Sequence, residues 1–228
     1  MKLYVCGQKA FGQATFEMCL EEGHEVLGVS APLASSRDPS RPDRLRAAAE
    51  SVGVPTMPAS MLDKDTLPAG VDVLLAAHSH DFIGRATRHR CTVGAIGYHP
   101  SLLPLHRGRD AVRWTVKMGD RVTGGTVYRL SDNIDAGDMA AQHYCVVEPG
   151  ETPAELWRYK LFPLGVELFR KVLRDLTAGT IVAVPQDDDL ATWEPSWERA
   201  PLRRPDLLMI GAGLIGFTVE KSQSALCQ

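Results

Sequence analysis

The sequence predicts an α/β protein: a Rossmann-like open, mainly parallel sheet with helices on both faces. Three observations carry that prediction. The apolar runs "KLYVC", "VDVLLAAHS" and "TVGAIGYH" do not alternate with polar residues, which suits strands buried on both faces. Segments with helical spacing lie between them, so successive strands should pair in parallel through right-handed crossovers. The 228 residues, 44% of them hydrophobic, suffice for one large core.

In chain order, "KLYVC" is the first strand, and "FGQATFEMCLEEG" follows with helical spacing that Gly23 can close as a cap. Its approach, "GQKAFGQ", should make a tight turn that brings Gly7 and Gly12 close to a ligand. "HEVLGVS" is the second strand. The polar loop "SSRDPSRPD" leads to a helix near "DRLRAAAESVG" and the short extended piece "VPTMP". "VDVLLAAHS" and "TVGAIGYH" are further strands separated by a short helix. Ligands of open α/β sheets sit outside the carboxyl ends of the strands, so the loops after Cys6, Ala77 and Ile96 should border one crevice. Beyond it, Arg109 to Met118 is a helix stopped by Gly119, "VTGGTVYRL" a strand, "SDNIDAGD" a polar loop and "MAAQHYCVV" a returning strand. Thr152 and Glu155 of "TPAELW" form a capping box with Pro153 at the first helical position. The helix that follows runs toward Thr177, and Pro163 and Gly165 should kink or divide it.

Composition excludes several classes of partner. A formal charge of -3 leaves no broad basic surface for nucleic acid or anionic lipid, although Arg203 and Arg204 form a local cluster. No apolar run reaches the roughly 18 to 20 residues that cross a bilayer, and "MKLYVCGQKAFGQ" lacks a secretory pattern, so a cytoplasmic location without a membrane partner is expected. The five cysteines (Cys6, Cys19, Cys91, Cys145, Cys227) are scattered and show no CxxC spacing. That argues against a disulfide framework and against a zinc site, and no metal is expected. Gly211, Gly213 and Gly216 spell G-x-G-x-x-G after "DLLMI", but 12 residues beyond Gly216 leave no room for the rest of a dinucleotide unit. This tail is expected to be structural or disordered rather than a nucleotide site.

The candidates for chemistry are His78, His80, His99 and His106 with the acids Asp132, Asp135 and Asp138. His99 stands out because it lies just beyond an apolar strand, on the ligand-facing edge, supported by the turn residues of "PSLLP". "NIDAGD" lies between two strands, where a carboxylate could meet it. A His and an Asp brought together there would form a general acid/base pair, the Asp orienting the imidazole.

"YHPSLLPLHRG", "TGGTVY" and "NIDAGDMAAQ" resemble the signatures of the folate-dependent formyl transferases. The likeness is greatest to the hydrolase domain of 10-formyltetrahydrofolate dehydrogenase, where it extends to "GQKAFGQ", "EEGHEVLGV", "HDFIG", "LFPLG" and "VPQ". It implies a formyltransferase-fold catalytic domain over residues 1–195, followed by an extension over 196–228 without a recognised domain. It further implies 10-formyltetrahydrofolate as formyl donor, His99 and Asp135 as the catalytic pair, and a folate site formed by Ser79, Phe82, Ile83, Leu103, Asn133 and Ile134. Most members of the family carry Asn two residues before the His. Here Gly97 stands in its place, as the dehydrogenase's hydrolase domain also lacks the Asn, and Tyr98 is expected to crowd the crevice beside it. A small amine is the favoured acceptor, with water as the alternative and a non-catalytic folate-binding protein as the reading from another class. A homodimer is compatible with all three.

Overall fold

The computed structural model describes residues 1–197, so Gly211, Gly213, Gly216 and the rest of the tail lie outside the described residues. Strand β1 (Lys2–Gly7) sends Leu3 and Val5 to one face and Tyr4 and Cys6 to the other, all buried, which is why its sequence is apolar throughout. Helix α1 (Lys9–Glu21) buries Phe11, Thr15, Phe16 and Cys19 and stops at Gly23, whose φ of 75° is the left-handed geometry that glycine adopts without strain. β2 (Glu25–Ser30) leads to α2 (Arg44–Ser51), capped by the Asp43 carboxylate, and to β3 (Thr56–Met57). β4 (Val73–Ala77), the one-turn α3 (Arg85–Arg88) and β5 (Gly94–His99) complete the parallel part. Next come α4 (Ala111–Met118), β6 (Val122–Arg129), β7 (Met139–Val146), α5 (Pro153–Leu156) and α6 (Phe162–Ala178).

The seven strands lie in the order β3-β2-β1-β4-β5-β6-β7. β1 to β5 are parallel, whereas β6 runs antiparallel to β5 and to β7. The order reverses between β1 and β4, which sets a crevice at their carboxyl ends. The two faces are covered unequally. α1, α2 and α6 pack on one, around Phe11, Phe16, Leu45 and Phe169. The other is covered by the flanks of the short α3, through Ile83 and Cys91, and by Leu67 and Val71.

The capping box at Thr152 and Glu155 forms as expected. The expected break follows it as a single π-helical turn, Trp157–Leu161, after which Pro163 sits in the first turn of α6, where its missing N–H costs little. Tyr98 explains two glycines of the motifs. Its hydroxyl donates to the Leu161 carbonyl at 2.7 Å, and its ring passes so close to Gly125 and Gly165 that a Cβ on either would overlap it.

Candidate active site

His99 ends β5 at the carboxyl edge of the sheet and is 6% exposed. The loop after it is fixed from below by β6. Thr126 Oγ1 donates to the Ser101 carbonyl at 2.7 Å and accepts from the Leu103 amide at 3.2 Å. Gln142 Nε2 donates to the Leu103 carbonyl at 2.9 Å. The loop then curls back so that His99 Nε2 donates to the His106 carbonyl at 2.7 Å. This anchors one edge of the imidazole and leaves Nδ1 on the other.

Asp135 meets that second edge, its Oδ2 lying 3.4 Å from His99 Nδ1. The Leu130 amide, just past the end of β6, bonds the Ala95 carbonyl at the amino end of β5, so the loop doubles back to carry Asp135 to His99. Two donors hold the carboxylate, the Tyr128 hydroxyl on Oδ1 at 2.5 Å and the Gly108 amide on Oδ2 at 2.8 Å. Gln186 Nε2 grips the backbone from outside, donating to the carbonyls of Asp135 at 2.9 Å and Gly137 at 2.7 Å. Asp135 has a φ of 52°, an uncommon conformation for a residue with a side chain, which these bonds hold in place. Burial, and next the charge of Asp135, push the Tyr128 phenol well above its usual range, so it remains a donor. The result is an imidazole and a carboxylate, both shielded from solvent and held by fixed donors, which suits proton transfer and stabilisation of a developing oxyanion.

Gly97 faces this arrangement from β5, opposite Tyr128 in the antiparallel register. A Cβ there would stand 2.9 Å from Leu130 Cδ2 and 3.4 Å from the Tyr128 ring. The expectation that Tyr98 crowds the crevice is corrected, because its ring lies in the core on the opposite face. The glycines of "GQKAFGQ" are likewise packing devices: Gly7 abuts the Ala77 carbonyl, and a Cβ on Gly12 would be 3.0 Å from Leu45 Cδ2.

Of the other candidates, Ser79 Oγ lies 3.3 Å from Cys6 Sγ. Phe82 is 69% exposed, whereas Ile83 is buried in the second core and Leu103 is also buried. Asn133 and Ile134 are exposed beside Asp135, with the Asn133 carbonyl held by Ser131 Oγ at 2.7 Å. Asp132 is not part of the His99 pair. It bonds Arg85 and Arg88, and Arg88 also donates to the Ile83 carbonyl at 2.5 Å, tying the loop after β4 to the loop after β6. Asp138 is exposed. His78, near His80 and Trp157, is pushed down to about 4 by burial and then by the charges of His80 and Lys9, so it stays neutral at ordinary pH. No group of three or more His, Cys, Asp or Glu positioned to hold a metal occurs among the described residues. A cavity of about 720 Å³ opens at the amino end of β5, lined by Gly94, Ala95, Arg129 and Asp132 among others, and neither His99 nor Asp135 lines it. Residue-level reading missed Tyr128, Gln186, Thr126 and Gln142. All four do stand inside quoted motifs, Thr126 and Tyr128 in "TGGTVY", Gln142 in "NIDAGDMAAQ" and Gln186 in "VPQ".

Residues 1–162 match the family model described as formyl transferase. The chain is similar to the cytosolic 10-formyltetrahydrofolate dehydrogenase of Mus musculus, with 34% identity over 206 residues that cover 85% of the chain and 22% of that relative. Thus the chain spans about a fifth of the length of the dehydrogenases it matches. Among solved structures, the N-formyltransferase of Helicobacter canadensis with folinic acid and dTDP-3-aminofucose aligns with a TM-score of 0.71 at 13% identity, covering 92% of this chain and 78% of that one. Glycinamide ribonucleotide transformylase 1 of Symbiobacterium toebii aligns with a TM-score of 0.69 at 21% identity, covering 82% and 94%.

Proposed function

The chain belongs to the formyl transferase family, and from that premise we propose that it transfers the formyl group of 10-formyltetrahydrofolate to a small amine. The observation that carries the proposal is the buried His99–Asp135 pair at 3.4 Å, assembled from two segments at the carboxyl edge of the sheet. The donor supplies the formyl carbon. With Nδ1 protonated beside Asp135, His99 donates from that edge to the oxygen on which negative charge develops as the amine attacks. Asp135 takes the proton that the amine releases, directly or through a water, and returns it to N10 of the folate as the bond from the formyl carbon to N10 breaks. Support for the donor's place comes from Phe82 and Ile134, large apolar side chains left exposed on the two loops that Arg85, Arg88 and Asp132 join. A flat pterin would lie against them, with backbone groups of Ser79, Ile83 and Asn133 as polar partners and the loop of Leu103 as an apolar wall.

One observation favours hydrolysis as a second reading: the 34% identity to a relative named as a 10-formyltetrahydrofolate dehydrogenase, in a site whose Gly97 offers no side-chain donor. Incubation with 10-formyltetrahydrofolate alone, and with a panel of small amines, separates the readings. Amine-dependent release of tetrahydrofolate is expected. Equal release without amine makes the protein a hydrolase, and binding without turnover makes it a folate-binding protein.

A further inference from the structure

His106 lies in the loop that follows β5, and its backbone does two things at once. The carbonyl accepts the Nε2 proton of His99 at 2.7 Å, and the amide donates to Thr192 Oγ1 at 2.7 Å. Its φ is 55°, so the side chain turns inward and is 8% exposed. There the imidazole lies between two carboxylates, Asp120 Oδ2 at 2.8 Å from Nε2 and Glu194 Oε1 at 3.1 Å from Nδ1. Asp120 belongs to the turn after α4, and Glu194, 5% exposed, to the C-terminal segment. The neighbouring charges are engaged elsewhere. Arg107 pairs with Gln186 and Asp188, and Asp110 accepts from Ser196 and the Trp197 amide. Two residues on, the Gly108 amide holds Asp135.

We propose that His106, clamped between Asp120 and Glu194, is a positioning residue that fixes the ring of His99 for formyl transfer. The proposal rests on the function argued above. The clamp is complete when both ring nitrogens of His106 carry a proton, since each faces a carboxylate oxygen. Burial works against that state, but the nearby carboxylates of Glu194 and then Asp120 outweigh it and raise the group above its ordinary value. A raised value means that the clamp is intact at low pH and is lost as pH rises through the folded-state value. Deprotonation would set a lone pair against a carboxylate, move the 106 carbonyl and release the His99 ring.

The test combines steady-state kinetics across pH with nitrogen-15 NMR of the imidazoles in wild type, Glu194→Gln and Asp120→Asn. In Glu194→Gln, kcat at pH 8 should fall about ten- to hundredfold, the cost of a misplacement of up to about one ångström, while KM for 10-formyltetrahydrofolate stays within about twofold. Its alkaline limb should begin at lower pH than in wild type, and Glu194→Asp should restore part of kcat. Unchanged kcat and pH profile, or equal changes in kcat and KM, would overturn the proposal. NMR reads the same clamp without turnover: the His99 Nε2 signal should shift in both variants, and in wild type it should change in step with the titration of His106. A wild-type His99 signal that does not change as His106 titrates overturns the proposal even where a variant fails to fold. A wild-type protein without formyl turnover in which the His99 signal still follows the titration of His106 would sink the functional reading alone.

Discussion

Gly97 shows how much at this site turns on single atoms. Its missing side chain leaves room for the Tyr128 ring, and that ring delivers the hydroxyl that holds Asp135 Oδ1 at 2.5 Å. An Asn there would add an amide near the reacting groups, yet its Cβ would press on Leu130 and Tyr128. Leu130 can swing its methyl aside. Tyr128 cannot move without dragging Asp135. We therefore expect Gly97→Asn to lower tetrahydrofolate release about tenfold, because a displaced Tyr128 carries Asp135 off its line to His99. A rate increase would show that the site simply lacks a donor. At this scale His99 was legible from the sequence because a His past an apolar strand is conspicuous, and Asp135 from the family motif. Tyr128 was not, because nothing in "TVYRL" says that its hydroxyl faces a carboxylate seven residues later, across a loop that doubles back.

Elements were legible where one local rule fixes them. The apolar runs gave β1, β4 and β5, and Thr152, Pro153 and Glu155 gave the start of α5. The π-helical turn was not readable, because the expected break at Pro163 does not say which kind of turn absorbs it. Gly165 illustrates a local rule overridden by packing. In a helix interior Ala is favoured over Gly by roughly 0.5–1 kcal/mol. Here, however, a Cβ would lie 2.6 Å from Tyr98 and 2.8 Å from Phe11, two rings in contact with each other, with Tyr98 pinned by its bond to Leu161. Overpacking against such rings costs about 1–3 kcal/mol and outweighs the helical gain. Gly165→Ala should thus lower the melting temperature by a few degrees, at about 2–4 °C per kcal/mol for a chain of this size. A higher melting temperature would show that Tyr98 can yield.

On the scale of the whole molecule, the parallel order and its reversal between β1 and β4 bring the loop ends together, as strand–helix alternation predicts. Strand alternation does not reveal how the last described residues close the site. Gln186 grips Asp135 and Arg107, Thr192 and Glu194 hold His106, and the Trp114 indole donates to the Pro195 carbonyl at 3.0 Å. These contacts span much of the chain, and only the folded structure puts them side by side. The central claim, that His99 acts on the transition state of formyl transfer, is tested most directly by the His99→Ala protein. Tetrahydrofolate release under saturating 10-formyltetrahydrofolate and the calorimetric affinity for tetrahydrofolate would be measured on one preparation. Release should fall by about 10² to 10³, the cost of one oxyanion donor, with affinity within about threefold of wild type. A rate close to that of wild type, or a loss of affinity equal to the loss of rate, would contradict the claim.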